Sequence, residues 1–527
     1  MGYKEREEEI PRFNYAECPE LYVKIMDDLH LTQTDLYKEY YLRPLKEWLN
    51  GLGVKLRAQT GYGSRWVAFD MSLPAECIDI QETETLEMCD IIDYYRTFSG
   101  GAHLLRKSIY SSETGAIGGG AYGTSLKKYM WMIHRLFAGG VNRVITHGYS
   151  AVSGPEATTM WPGYDGIGFI FSERWGARHP YGNMMTDFSK YIARMQTALR
   201  TGVAKVDVGI LNQMFSSPEG GLYQPPQDMM NLYFWKDVNL ARAGYTYDFF
   251  APQYLEKGFK CENGFYDAGN TDYKALVVYQ PYIPVGTAKE LLKCAKTGMP
   301  IVIVGDAGTE AFGVNENAED VKRIFEELKK LPNVACCDTA MDTAETLKSM
   351  GIQPRVAQAE AVGFYSVIRE ADDEKYLFIM NSTDFDQETD IFVEGEYAPL
   401  SIDCWNGDVT KVGVYTLDNG TTKWKVALKA GDAALYALLP ANDQLHAVSA
   451  KECQVIEEEN QIFAVSANSG RYAVTLSDGT EKAVEIIVPE ISQISKWKVT
   501  VDDWKMGEKK TISETRCGHT TTEYYYE

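Results

Sequence analysis

The sequence predicts an α/β protein with all-β units on its C-terminal side. The expected order is a β/α-barrel-type region over residues 1–250, incomplete in its strands, then a smaller flavodoxin- or amidotransferase-like α/β domain over 251–360. β-sandwich-like domains follow over 361–440 and 441–527. Three observations carry this. Up to about residue 250, short apolar segments that end in polar residues alternate with helix-period segments, the rhythm of a parallel sheet. Two runs, DYKALVVYQ (272–280) and MPIVIVGDAG (299–308), are apolar throughout, as strands buried on both faces are. Beyond about 362 the helical periods stop and turn signals take over.

The first fifty residues read as mostly helical. VKLRAQT (54–60), CIDI (77–80) leading into Gln81 and Glu82, and KSIYSSE (107–113) are the first strands. A helix is expected over about 124–138, with Leu126, Met130, Ile133 and Phe137 on one face and Gly139–Gly140 as its stop. VNRVITHGYS (141–150) is the next strand. A helix capped by Asp187 buries Phe188, Tyr191, Ile192, Met195 and Leu199 and stops at Gly202, and VAKVDVGIL (203–211) closes the series. That makes about five barrel-type strands where a closed barrel needs about eight. AKELLKCAKTG (288–298) and VKRIFEELKK (321–330) are the helices of the second unit. Its Gly305 and Gly308 lack the spacing of a nucleotide loop. FYSVIREADDEKYLFIMNST (364–383) reads as a hairpin turning at 371–373, and Asn406–Gly407, Asn419–Gly420, Gly431–Asp432 and Asp478–Gly479 mark later turns.

Composition excludes several functions. The 527 residues carry 52 Lys and Arg against 74 Asp and Glu, a formal charge of −22, which argues against a nucleic-acid partner. No apolar run reaches the roughly 18 residues of a membrane span, so no membrane partner is expected. MGYKEREEEI has no apolar core for a secretion signal, and the ten cysteines form no CxxC pair. Both favour a cytoplasmic location with reduced thiols. The seven histidines lack zinc-ligand spacing.

The chemistry concentrates where the strands end. Arg57 and Gln59 finish the first strand and can reach sugar hydroxyls. Gln81, Glu82 and Glu84 follow the second, and Glu113 finishes the third before the glycine-rich GAIGGGAYG. Carboxylates on neighbouring strand ends can be held at fixed separation, as glycoside hydrolysis requires. His147 and Tyr149 follow the next strand. Trp161, Trp175 and His179 lie in a long loop whose aromatic rings suit stacking on sugar. Asp207 and Asp248 sit at apolar segments as aspartates that order the site, and Asp248 joins the substrate-binding set. His103 and His134, in helical segments, read as structural.

In order, RAQTGYG, QETE, SSETGA, VNRVITHGYS, WPGYDG, ERWGARHPYGN and DFSKYIARMQTALRTGVAKVDVGIL resemble glycoside hydrolase family 106, the α-L-rhamnosidases. The resemblance implies a calcium-dependent inverting exo-glycosidase that releases terminal α-L-rhamnose from glycans or glycosides. It implies Glu113 as general base, Glu84 as acid or calcium ligand, and Glu82 as a metal ligand. It also implies earlier barrel strands, expected from a complementary chain. Two other readings stand beside it: a non-catalytic carbohydrate-binding or structural subunit, and a retaining β-galactosidase-like barrel enzyme with its carboxyls about 5–5.5 Å apart.

Overall fold

The computed structural model describes residues 19–60, 70, 72–88, 91–117, 123–148, 181–213, 239–372, 374–442, 444–458, 461–501, 509–516 and 519–526. Helical residues from Pro19 to Gly51 lead into a sheet of four parallel strands, β1 (Arg57–Gln59), β2 (Ile80–Glu84), β3 (Tyr110–Thr114) and β4 (Arg143–Thr146), paired in chain order. The helix Ile92–Leu104 crosses from β2 to β3, and Leu126–Ala138 crosses from β3 to β4. The second of these is capped as its sequence demands. The Ser125 side chain accepts from the Lys128 amide, and Tyr129, Ile133, Leu136 and Phe137 are buried along one side.

The VAKVDVGIL segment departs from the sequence expectation. It is not one strand of the first sheet. Val203–Lys205 (β5) pairs antiparallel with Phe364–Glu370 at the edge of a six-stranded sheet. Val208–Leu211 (β6) instead lies between Tyr247–Phe250 (β7) and Ala275–Val278 in a second parallel sheet, which continues through Ile301–Val304 and Val334–Cys337. The second sheet therefore starts near residue 208, and the first holds four strands among the described residues. An apolar run fixes that a strand forms; its partners are set by distant chain. The outward order of the second sheet, with its first strand between its second and third, is a doubly wound arrangement. Its interior residues Val208, Ile210, Leu276, Val277, Ile301 and Val302 are fully buried, matching their continuous apolar runs. Gly308 lies against the ring of Phe325, where an added Cβ would stand 2.3 Å from ring carbon, so packing accounts for that glycine without a nucleotide.

Beyond residue 355 the chain is antiparallel. The six-stranded sheet and a four-stranded sheet (Val356–Gln358, Gln387–Glu394, Thr421–Leu428, Thr416–Asp418) share one core built from Phe364, Leu377, Ile391, Trp424 and Leu438. Phe364–Glu370 and Lys375–Asn381 form the expected hairpin. Three strands and two further hairpins complete the described residues.

The units are locked together at the helix Ile92–Leu104. Gly100 presses on β7 so closely that a Cβ there would lie 2.3 Å from the Phe249 carbonyl oxygen. Buried Arg96 lies over the rings of Tyr247, at 4.0 Å, and Tyr365, at 5.2 Å, and pairs with Asp93. One side chain thus ties the first sheet's crossover helix to both the second sheet and the antiparallel region. Gly→Ala inside a helix ordinarily stabilises by about 1 kcal/mol. Gly100→Ala reverses that sign, destabilising by about 2 kcal/mol through overpacking, measurable by urea denaturation.

Candidate active site

In a strand, residues two apart share a face, and in parallel pairing the registered residues point the same way. Gln59 is registered with Glu82, Glu82 with Ser111, Glu84 with Glu113, and Glu113 with Ile145. Gln59, Glu82, Glu84, Ser111 and Glu113 therefore stand on one face at the strand ends, with His147 just beyond β4. Adjacent strands lie about 4.8 Å apart, so these side chains are immediate neighbours.

Their hydrogen bonds divide the carboxylates into two kinds. Glu82 is buried, with its side chain 5 % exposed. Its Oε2 forms an ion pair with Arg57 Nε at 3.1 Å and accepts from the Ser111 hydroxyl at 2.7 Å, and its Oε1 accepts from Gln59 Nε2 at 3.2 Å. Glu113 has a side chain 30 % exposed. Its Oε2 accepts from the same Gln59 nitrogen at 2.6 Å, and its Oε1 lies 3.9 Å from His147 Nε2. A partly exposed carboxylate with one oxygen engaged by an amide can take a proton from water; one gripped by three donors cannot do so readily. Glu84 is buried at 4 % exposure beside Glu113. Arg57 is half-exposed.

The structure thus brings together Arg57, Gln59, Glu82, Glu84, Glu113 and His147. Tyr149, Trp161, Trp175 and His179 lie outside the described residues. Ser111 was missed by the sequence reading, although it sits two residues before Glu113 and so on the same face.

Two expectations need correction. Asp248 belongs to β7 of the second sheet and is not part of this group. Its oxygens accept from Ser99 at 2.6 Å and Tyr273 at 2.9 Å and meet His103 Nδ1 at 2.7 Å, so it fastens the crossover helix to the second sheet. Sequence order could not show this, because these partners come from remote elements. Glu82 does not fit a metal ligand, since the Arg57 guanidinium and two further donors cover its oxygens. Among the described residues no group of three or more His, Cys, Asp and Glu side chains could hold a metal ion. The residues therefore do not fit calcium at Glu82, and no step is routed through it. Asp207 is also structural: fully buried, it accepts from Arg355 and Thr246. His134 bridges the Gly431 carbonyl and the Tyr191 hydroxyl, and burial lowers its pKa.

Carboxylates clustered at the ends of neighbouring parallel strands are the arrangement that glycoside hydrolysis requires. The family model described as alpha-L-rhamnosidase, that of glycoside hydrolase family 106, matches residues 19–415, and the chain belongs to this family. Among solved structures it is similar to a rhamnosidase from Novosphingobium sp. PP1Y, at 16 % identity and a TM-score of 0.64. The match covers 86 % of this chain and 46 % of that one. The chain thus spans under half the length of that solved structure. It also shares a fold with a beta-galactosidase from Bacillus circulans sp. alkalophilus, at 10 % identity and a TM-score of 0.50, covering 77 % of this chain and 66 % of that one. A cold-adapted beta-galactosidase from Rahnella sp. R3 matches at 10 % identity and a TM-score of 0.50, covering 79 % of this chain and 68 % of that one. No curated protein sequence matches the chain.

Burial pushes the Asp248 carboxyl up. The His103 charge and the hydrogen bonds from His103, Ser99 and Tyr273 outweigh burial and hold its pKa below the ordinary carboxylate value. A lowered folded pKa contributes stability that is present above the unfolded value of about 3.9 and lost as the pH falls through the folded one. Asp248→Ala should therefore cost about 3 kcal/mol at pH 7 by chemical denaturation, and the deficit should shrink below about pH 4.

Proposed function

We propose that the chain hydrolyses terminal α-L-rhamnosides with inversion, Glu113 serving as general base. The observation that carries this is the asymmetry of the carboxylates: Glu113 alone of the three is substantially exposed, while Glu82 is gripped by Arg57, Ser111 and Gln59 and Glu84 is buried. Glu113 takes a proton from a water attacking the anomeric carbon. Glu84 gives a proton to the leaving oxygen, and inversion requires its carboxyl to stand about 6.5–9.5 Å from that of Glu113. The open Arg57 guanidinium and His147 hold sugar hydroxyls. In this reading the four parallel strands are part of a β/α barrel and the two antiparallel sheets form a β-sandwich. A partner chain's β/α segment pairs beyond β1, which is an edge strand among the described residues.

The test is hydrolysis of an aryl α-L-rhamnoside by the chain, alone and with candidate partner chains. Glu113→Gln should lower kcat/KM by about 10³-fold while sugar binding persists. The first product anomer, followed by proton NMR, should be β-L-rhamnose. An α-anomer would instead establish retention, and absence of turnover in every combination would refute the assignment.

A further inference from the structure

The amide of Gln59 carries two hydrogens on Nε2, and both are engaged by carboxylates, one by Glu82 Oε1 at 3.2 Å and one by Glu113 Oε2 at 2.6 Å. The orientation of the amide is fixed by chemistry. A flipped amide would set its oxygen against two carboxylates, with acceptor facing acceptor. Both amide hydrogens of Gln59 are thus taken, and only its oxygen is left to accept from a sugar hydroxyl. Because both carboxylate oxygens bond to one nitrogen, they lie within about 6 Å of each other, a distance at which two negative groups repel unless a donor lies between them.

We infer that Gln59 is a positioning residue, whose amide pins the side chain of Glu113 to the immobile carboxylate of Glu82 so that the remaining oxygen of Glu113 faces the substrate. Three features make Glu82 the fixed end. It is buried within β2, its backbone is registered between Gln59 and Ser111, and Arg57 and the Ser111 hydroxyl hold the oxygen that Gln59 does not. Glu113 is the movable end. Its side chain has three rotatable bonds and is 30 % exposed, so without the amide it samples several rotamers, only some of which aim an oxygen at the reacting water. The inference rests on the reading of Glu113 as base.

The deciding experiment compares wild type with Gln59→Met, which keeps the side-chain length without the donor, and Gln59→Ala as a second variant. Positioning predicts that kcat falls about 10- to 100-fold while KM stays within about 3-fold. A sugar-contacting role predicts the opposite split, KM raised with kcat intact, and that split overturns the inference. A second readout is independent of turnover. With ¹⁵N-glutamine labelling, the Gln59 side-chain amide is assigned by its loss in Gln59→Met. Glu82→Gln should move one of its two proton signals and Glu113→Gln the other. If Glu113→Gln moves neither, the bridge is refuted whatever the activity. If wild type shows no rhamnosidase turnover, the functional reading fails and the amide signals alone decide the bridge.

Discussion

The contact between the helix Ile92–Leu104 and β7 is the constraint on which the rest depends. That helix is the crossover between β2 and β3, the two strands that carry Glu82, Glu84 and Glu113. A crossover helix that could slide would let its strands shift, and a one-residue shift turns every side chain to the opposite face. Here the helix has little room to slide. Gly100 meets the backbone of Phe249, Ser99 and His103 bind Asp248, and Arg96 is sandwiched by rings from two other units. The acidic group at the strand ends is thus aligned by contacts that the helix makes with the second sheet.

The two parallel sheets make a natural comparison. The second is apolar throughout, as a sheet covered on both sides should be. The first is polar where it is buried: Gln81, Glu82, Thr83 and Glu84 in β2, and Ser111, Ser112 and Thr114 in β3. Burying so many polar groups is costly unless each is paired, and a strand built only for stability would not carry them. For Glu82 that pairing comes from Arg57, Ser111 and Gln59, which leave Oε1 of Glu113 outside their reach.

What was legible in the sequence follows the range of the interactions. The helix Leu126–Ala138 was readable because its cap, apolar period and glycine stop lie within a few residues of one another. Glu113 was readable because it stands one residue from the end of β3, and its own neighbours mark that end. Ser111 shares that face, but a serine inside a strand carries no signal in the sequence until its partner Glu82 is placed beside it. The split of 203–211 between two sheets was not readable, because Val203–Lys205 finds its partner in Phe364–Glu370, far along the chain. Asp248 failed for the same reason: its partner His103 lies 145 residues away, and a buried aspartate looks alike whether it serves a cleft or a joint.

The division of labour among the glutamates follows from donor arithmetic. Three carboxylates crowded on one face would repel, and the chain supplies one guanidinium, one hydroxyl and one amide to the pair formed by Glu82 and Glu113. The guanidinium and hydroxyl both fall on Glu82, and the amide is shared. Glu82 is thereby held on both oxygens, while Glu113 keeps one oxygen beyond the reach of those donors. Exchanging the roles of the two residues would require moving Arg57 and Ser111 to the next strand pair. The assignment of the reactive carboxylate is therefore set by which strand carries the supporting donors as much as by the carboxylates themselves.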